Sequence, residues 1–185
     1  MFNNLIKIEN MKKILLIFAT LFLMVACSKD DDKPKNPNSF PFLKLGNEWE
    51  YGVYDGDTDT LMKTYIEKIV SDVSGIFQVN LITDSTEITS HLFSIQNNYL
   101  YFGSSKFLPQ NTQLGLKWDD FEILSISETV DVPAGIFHNC IKIENLIEFG
   151  DATMTSHWWI HKDIGIIMIE SLTFKQRVKL HSKNF

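Results

Sequence analysis

Residues 48–57 read EWEYGVYDGD, and this stretch decides the fold. Trp49, Tyr51 and Val53 alternate with Glu48, Glu50 and Gly52. A period of two puts the large apolar side chains on one face of a strand; a helix would need them three or four residues apart. Asp55-Gly56-Asp57 then supplies the turn chemistry of a hairpin. The same grammar continues outward. Residues 58–70 read as a second strand and 71–75 as a turn. Phe77, Val79 and Leu81 alternate with Gln78 and Asn80, Asp84-Ser85 turns, and strands over 88–95 and 99–102 flank Asn97-Asn98. Residues 103–117, with Pro109 and two glycines, read as irregular.

The second half repeats the pattern. Residues 121–130 are rich in β-branched side chains, and Val132-Pro133-Ala134-Gly135 is a turn. A long strand over 137–149 is expected to bulge near Asn145. Strands over 152–160 and 166–173 follow. Finally Phe174, Val178 and Leu180 alternate with Lys175, Arg177, Lys179 and His181, giving one apolar and one basic face. About ten strands joined by short turns predict an all-β, mainly antiparallel fold. A meander of that length must curl to protect its edges, so a strongly curved half-barrel or barrel is expected, with a two-sheet sandwich as the alternative.

Composition agrees with one folded domain. The 185 residues are 44% hydrophobic and 22% charged, within the globular range. A net charge of −6 argues against a general nucleic-acid binder, which needs clustered Lys and Arg. Two cysteines exclude a disulfide scaffold.

The N-terminus is an address. Lys12 and Lys13 precede an apolar run from Ile14 to Ala26, broken only by Thr20. At ~1.5 Å per residue that run spans about 20 Å, short of a ~30 Å bilayer core. It therefore reads as the apolar region of a signal peptide. Residues 1–10 carry Glu9 and sit awkwardly before it, which makes Met11 the expected start. Met24-Val25-Ala26-Cys27 resembles the bacterial lipoprotein box, with Met24 where that family usually has Leu. The resemblance implies cleavage before Cys27, lipidation of its thiol and an anchor in the membrane with no spanning helix. The expected organisation is a signal peptide over 1–26, a lipidated Cys27 with a flexible acidic tether to 39, and one β domain over 40–185. Ser28-Lys29-Asp30-Asp31-Asp32 also resembles the acidic signal that sends lipoproteins of the Bacteroidota to the cell surface. Outer-membrane, surface-exposed anchoring is the expectation, with a periplasm-facing anchor as the alternative.

Three body motifs carry a further resemblance: LGNEWEY at 45–51, VPAGIF at 132–137 and WWIHKDIGII at 158–167. Together they look like bacterial lipoproteins with a GxxWxY, VPAGTF, WYxxxxGxV layout. Those have curved sheets similar to lipoprotein carriers of the LolA/LolB type. Ile136 and Trp159 replace the usual Thr and Tyr. The same residues have structural readings: Gly46, Gly135 and Gly165 suit tight turns, Pro133 starts one, and Trp49, Phe137 and Trp158 are core fillers.

Candidates for chemistry are few. His157 and His161 are spaced for a metal on a helix, but on a strand they lie ~13 Å apart and cannot share one ion. Asp55, Asp57 and Asp59 resemble half a calcium loop, with Thr60 where Gly is wanted and Ile66 where Glu is wanted, so an acidic hairpin is the simpler reading. Cys140 lies in an apolar strand and reads as a buried thiol; His138, two residues away, would share its face without an orienting carboxylate. No metal site and no cofactor are expected. Asp59-Thr60-Leu61 and Asp84-Ser85-Thr86 resemble the O-glycosylation tripeptide of exported Bacteroidota proteins. In the strand over 152–161, Trp158 falls on the apolar face and Trp159 among Thr155, His157 and His161. Trp159 with His157 is thus the candidate ligand-binding pair, a stacking platform for a sugar or a partner side chain. The expected function is a lipid-anchored binding or assembly module of the cell envelope, with a carbohydrate, lipid or protein partner and no enzymatic role. A surface hydrolase or a periplasmic lipid-handling protein are the alternatives.

Overall fold

A computed structural model describes residues 40–84, 86–150 and 152–185. The expected signal peptide, Cys27 and the expected tether therefore lie outside the described residues, as does Ser85 of one of the two tripeptides that resemble a glycosylation motif. The described chain is all-β and antiparallel, as the alternation predicts.

Six strands form the first half: β1 (Glu48–Asp55), β2 (Leu61–Val73), β3 (Ile76–Thr83), β4 (Thr86–Gln96), β5 (Tyr99–Phe102) and β6 (Ser105–Pro109). Six form the second: β7 (Lys117–Trp118), β8 (Phe121–Val132), β9 (Gly135–Phe149), β10 (Ala152–His161), β11 (Gly165–Ser171) and β12 (Gln176–Lys183). All belong to one 12-stranded sheet in the order β6-β5-β4-β3-β2-β1-β12-β11-β10-β9-β8-β7. The two meanders thus run outward from a central pair formed by the first and last strands. Short turns set each register. Asn97 and Asn98 both have positive φ (48° and 64°), the geometry of a two-residue hairpin loop that matches strand twist.

The sheet is strongly curved. β6 and β10 stand eight places apart in the strand order, a separation of roughly 38 Å in a flat sheet at ~4.8 Å per strand. Yet Phe107 on β6 and Trp158 on β10 meet at a ring distance of 5.4 Å. Side chains from all twelve strands share one buried cluster, including Ile69, Val79, Leu100, Ile123, Ile160 and Leu180. The free edges also approach each other. The Trp118 indole N–H of β7 donates to the Lys106 carbonyl of β6 at 3.4 Å, and the Lys106 ammonium lies 3.8 Å from Asp119. The result is a nearly closed barrel joined at its seam by side chains rather than by a ladder.

Local details depart from the sequence expectation at three places. Residues 105–109 form β6, because the Tyr99–Phe102 strand offers them a free edge to pair with. The bulge expected near Asn145 lies elsewhere: Asn145 is paired regularly on both sides, and the irregularities of the β8–β9 ladder fall between Ile123 and Val130. Opposite them, Asn139 takes positive φ (57°) and breaks the alternation of β9. His138 is consequently exposed while Cys140 is fully buried, so the two do not share a face.

One end of the barrel is packed by the segment before β1. Phe42 meets Trp49 edge-on at 6.2 Å, and Gly165, with φ +94°, lets the Phe42 ring lie where a Cβ would stand only 3.3 Å away.

Candidate functional site

Beside this packed end the barrel interior holds a cavity of about 280 Å³. Its walls are aromatic: Tyr51 and Tyr65 at 5.4 Å from each other, Phe93, Phe107 and Trp158, with Phe102 and Phe121. Phe102 and Ser105 are exposed, which places the mouth at the β5–β6 hairpin.

Three polar side chains stand in this apolar wall, and each is there because of register. Glu67 on β2 pairs across Trp49 of β1 and Leu81 of β3, and so points to the same interior face as Trp49. His91 on β4 pairs across the fully buried Val79. Asn145 follows Ile141 and Ile143 inward along β9. Among the described residues, none of the three has all its polar atoms satisfied. Glu67 has no hydrogen-bond or ion-pair partner among the described residues, and burial pushes its carboxyl up to about 7. The Nε2 of His91 and the Oδ1 of Asn145 are both covered and unpartnered. Burial also pulls the His91 pKa below its ordinary value, so the ring is neutral at pH 7, packed at 4.6 Å against Phe102 and 5.5 Å against Phe93. A buried polar group left without a partner costs about 1–3 kcal/mol. Sites with such arrangements in an apolar concavity are where ligands bind.

Other polar groups on the wall are engaged. The Tyr51 hydroxyl donates to the Ile166 carbonyl at 3.1 Å, and the Trp158 indole N–H donates to Ser156 Oγ at 2.9 Å. Burial, with Glu67 and Tyr65 adding, raises the Tyr51 pKa well above its usual value; burial and Glu67 raise that of Tyr65. Both phenols stay neutral at any physiological pH.

Trp158 faces the interior, but half-buried on the cavity wall rather than sealed in the core. Trp159 and His157 are together on the outer face, away from the cavity. Trp159 is only 8% exposed: it belongs to the shared buried cluster, Lys142 from β9 holds its Nζ 4.9 Å from the ring centre, and Met168 of β11 lies opposite. His157 Nε2 is 3.4 Å from Glu144, and Glu170 beyond it bonds Arg177 at 2.8 Å. The acidic hairpin joins the same charge network. Asp55 accepts from the Thr58 backbone and hydroxyl, both at 2.8 Å, while Asp57 and Asp59 pair with Lys175 and Lys179 at 3.0 and 2.6 Å. The basic face of β12 therefore takes up these carboxylates. No group of three or more His, Cys, Asp or Glu suited to a metal ion occurs among the described residues. Cys140 is inert in kind: burial, then Glu128, pushes its thiol up to about 11.

Sequence reasoning missed Glu67, His91 and Asn145. A signal was present: each stands in phase with inward apolar residues, as in Tyr65-x-Glu67-x-Ile69, His91-x-Phe93 and Ile141-x-Ile143-x-Asn145. A polar residue in an apolar phase is a buried polar group, and that is the informative kind of exception.

No protein-family model matches the chain, and no curated protein is similar to it. Two solved structures share its fold. One is a protein described as exported, with a YmcC-like fold, from Bacteroides fragilis NCTC 9343; it is 12% identical, with a TM-score of 0.56, over 77% of this chain and 97% of that one. The other is a protein described as a lipoprotein, from Parabacteroides distasonis ATCC 8503; it is 12% identical, with a TM-score of 0.56, over 78% of this chain and 97% of that one.

Proposed function

We propose that this chain is a lipid-anchored lipoprotein of the cell envelope whose β domain binds a small molecule with an apolar body. The address comes from residues 11–32, and the fold likeness to an exported protein and a lipoprotein supports it. The binding role is carried by one observation: an aromatic-walled cavity with unpartnered polar groups in its wall. Outer-membrane anchoring with display at the surface is the reading of the acidic run after Cys27.

Both parts have direct tests. Cys27→Ala is expected to leave an unprocessed precursor that no longer partitions into the detergent phase; equal partitioning of variant and wild type would refute the anchor. For the cavity, 2-phenylethanol titrated into the detergent-solubilised protein is expected to change tryptophan emission saturably, because Trp158 is on the wall. Ile169→Phe, which fills the cavity from its β11 side, is expected to abolish that change. Linear, unsaturable behaviour in both proteins would sink the binding role.

One observation favours a surface hydrolase instead: Glu67, titrating at about 7, shares the cavity with His91 and Ser105. That reading needs a nucleophile–base pair, and His91 Nε2 has no partner. Binding is therefore the better account.

A further inference from the structure

We propose that the cavity takes a small organic amine, its ammonium set against Glu67 and its apolar body among the aromatic rings. The proposal rests on the binding role argued above and names the head group that role requires.

The donors and acceptors of the wall decide the head group. The Tyr51 hydroxyl and the Trp158 indole N–H are already engaged with Ile166 and Ser156. Among the described residues, two groups of the wall that lack a partner are acceptors, the ionised Glu67 carboxylate and Asn145 Oδ1, while the Nε2 of a neutral His91 accepts or donates according to its tautomer. The Tyr65 and Ser105 hydroxyls can serve either way. A ligand that completes this wall must bring donors, and an ammonium brings up to three with a charge to match the acid. Among the described residues the one Lys or Arg on the wall, Lys106, is held at the seam, with its ammonium 3.8 Å from Asp119 and 5.4 Å from the centre of the Tyr99 ring. Among the described residues, Glu67 thus has no cation paired with it. The rings add to the same preference, because a cation is attracted to the faces of Tyr, Phe and Trp. An anionic ligand would meet Glu67 directly.

Tyr51 and Tyr65, which interact with Glu67, stay neutral; the cavity wall also carries His91, neutral at pH 7, and Lys106, which is held beside Asp119. Glu67 therefore sets the pH dependence. An ammonium favours the ionised carboxyl, so amine affinity should climb as pH rises through about 7 and level off above it.

The test uses three probes of one shape on the detergent-solubilised, full-length protein, read by tryptophan emission: 2-phenylethylamine, 2-phenylethanol and 3-phenylpropionate. At pH 8 the amine is expected to bind roughly tenfold more tightly than the alcohol, with the acid weakest. Glu67→Gln is expected to bring the amine down to the level of the alcohol and leave the alcohol unchanged. In the wild type, amine affinity is expected to drop roughly tenfold between pH 8 and pH 5.5, while that of the alcohol stays flat. This pH profile tests the same point without a variant. An alcohol that binds as tightly as the amine, or an amine preference that survives Glu67→Gln, overturns the amine while the cavity stands. If none of the three probes binds, the binding role itself fails.

Discussion

Glu67→Gln is expected to raise the melting temperature at pH 8 and to leave it unchanged at pH 4. Glu67 titrates at about 7 in the folded chain, against an ordinary value of 4.5. Below 4.5 the carboxyl is protonated in both the folded and unfolded states and contributes nothing. Between 4.5 and 7 the unfolded chain releases its proton first, so stability falls as pH rises. Above 7 both states are ionised and the loss is complete. At ~1.4 kcal/mol per pH unit the loss is about 3 kcal/mol, and somewhat less because Glu67 is only partly shielded from solvent. The glutamine keeps the shape and removes the charge. For a domain of this size, that difference amounts to roughly 5–10 °C. Melts of both proteins at pH 4 and pH 8 decide it. Equal melting temperatures at pH 8 would mean that Glu67 has a counterion in solution, and the argument for an unfilled site would go with it. Comparing variant with wild type at each pH isolates Glu67 from Asp59, whose pKa moves the other way because of its hydrogen bond and charge contact with Lys179.

Trp49→Ala should cost about 3–5 kcal/mol, the largest loss among the substitutions considered. The indole is 4% exposed, donates to the Ile164 carbonyl at 2.7 Å, and meets Phe42 at 6.2 Å and Phe185 at 5.3 Å, both edge-on. One side chain thus ties the first strand to the segment before it, to the β10–β11 turn and to the C-terminus. Alanine leaves a void and orphans the Ile164 carbonyl. Trp49→Phe should recover part of the loss, since it keeps a ring without the donor. Urea midpoints of the three proteins measure this; a cost below about 1 kcal/mol would show that the end of the barrel is packed by something else. Trp49 lies opposite Glu67 on the neighbouring strand, so the alanine variant should also loosen Glu67, which lines the cavity.

The boundary between what was legible and what was not follows the range of the interactions. Trp49, Tyr51 and Val53 read as one face, and Asn97-Asn98 as a turn, because strand periodicity and turn dihedrals depend only on near neighbours. Those local rules were enough for an all-β antiparallel meander that must curve. The expectation of an address at residues 11–32 is equally local, being a matter of charge order and run length. The tertiary structure decided what depends on strands distant in sequence. The positive φ of Asn139 sends His138 and Cys140 to opposite faces, which no count of two could reveal. Trp159 is on the polar face, as its position in the strand implies, but its burial depends on Lys142 and Met168 lying across it from the flanking strands. The cavity is the largest case. Glu67, His91 and Asn145 are in three strands spread along the chain; the phase of each strand marks it as inward, but not that the three share one site. Only curvature of the sheet, which brings β2 and β4 to face β9 and β10, encloses them in one aromatic wall, where His91 Nε2 and Asn145 Oδ1 are covered without partners and burial raises the Glu67 pKa.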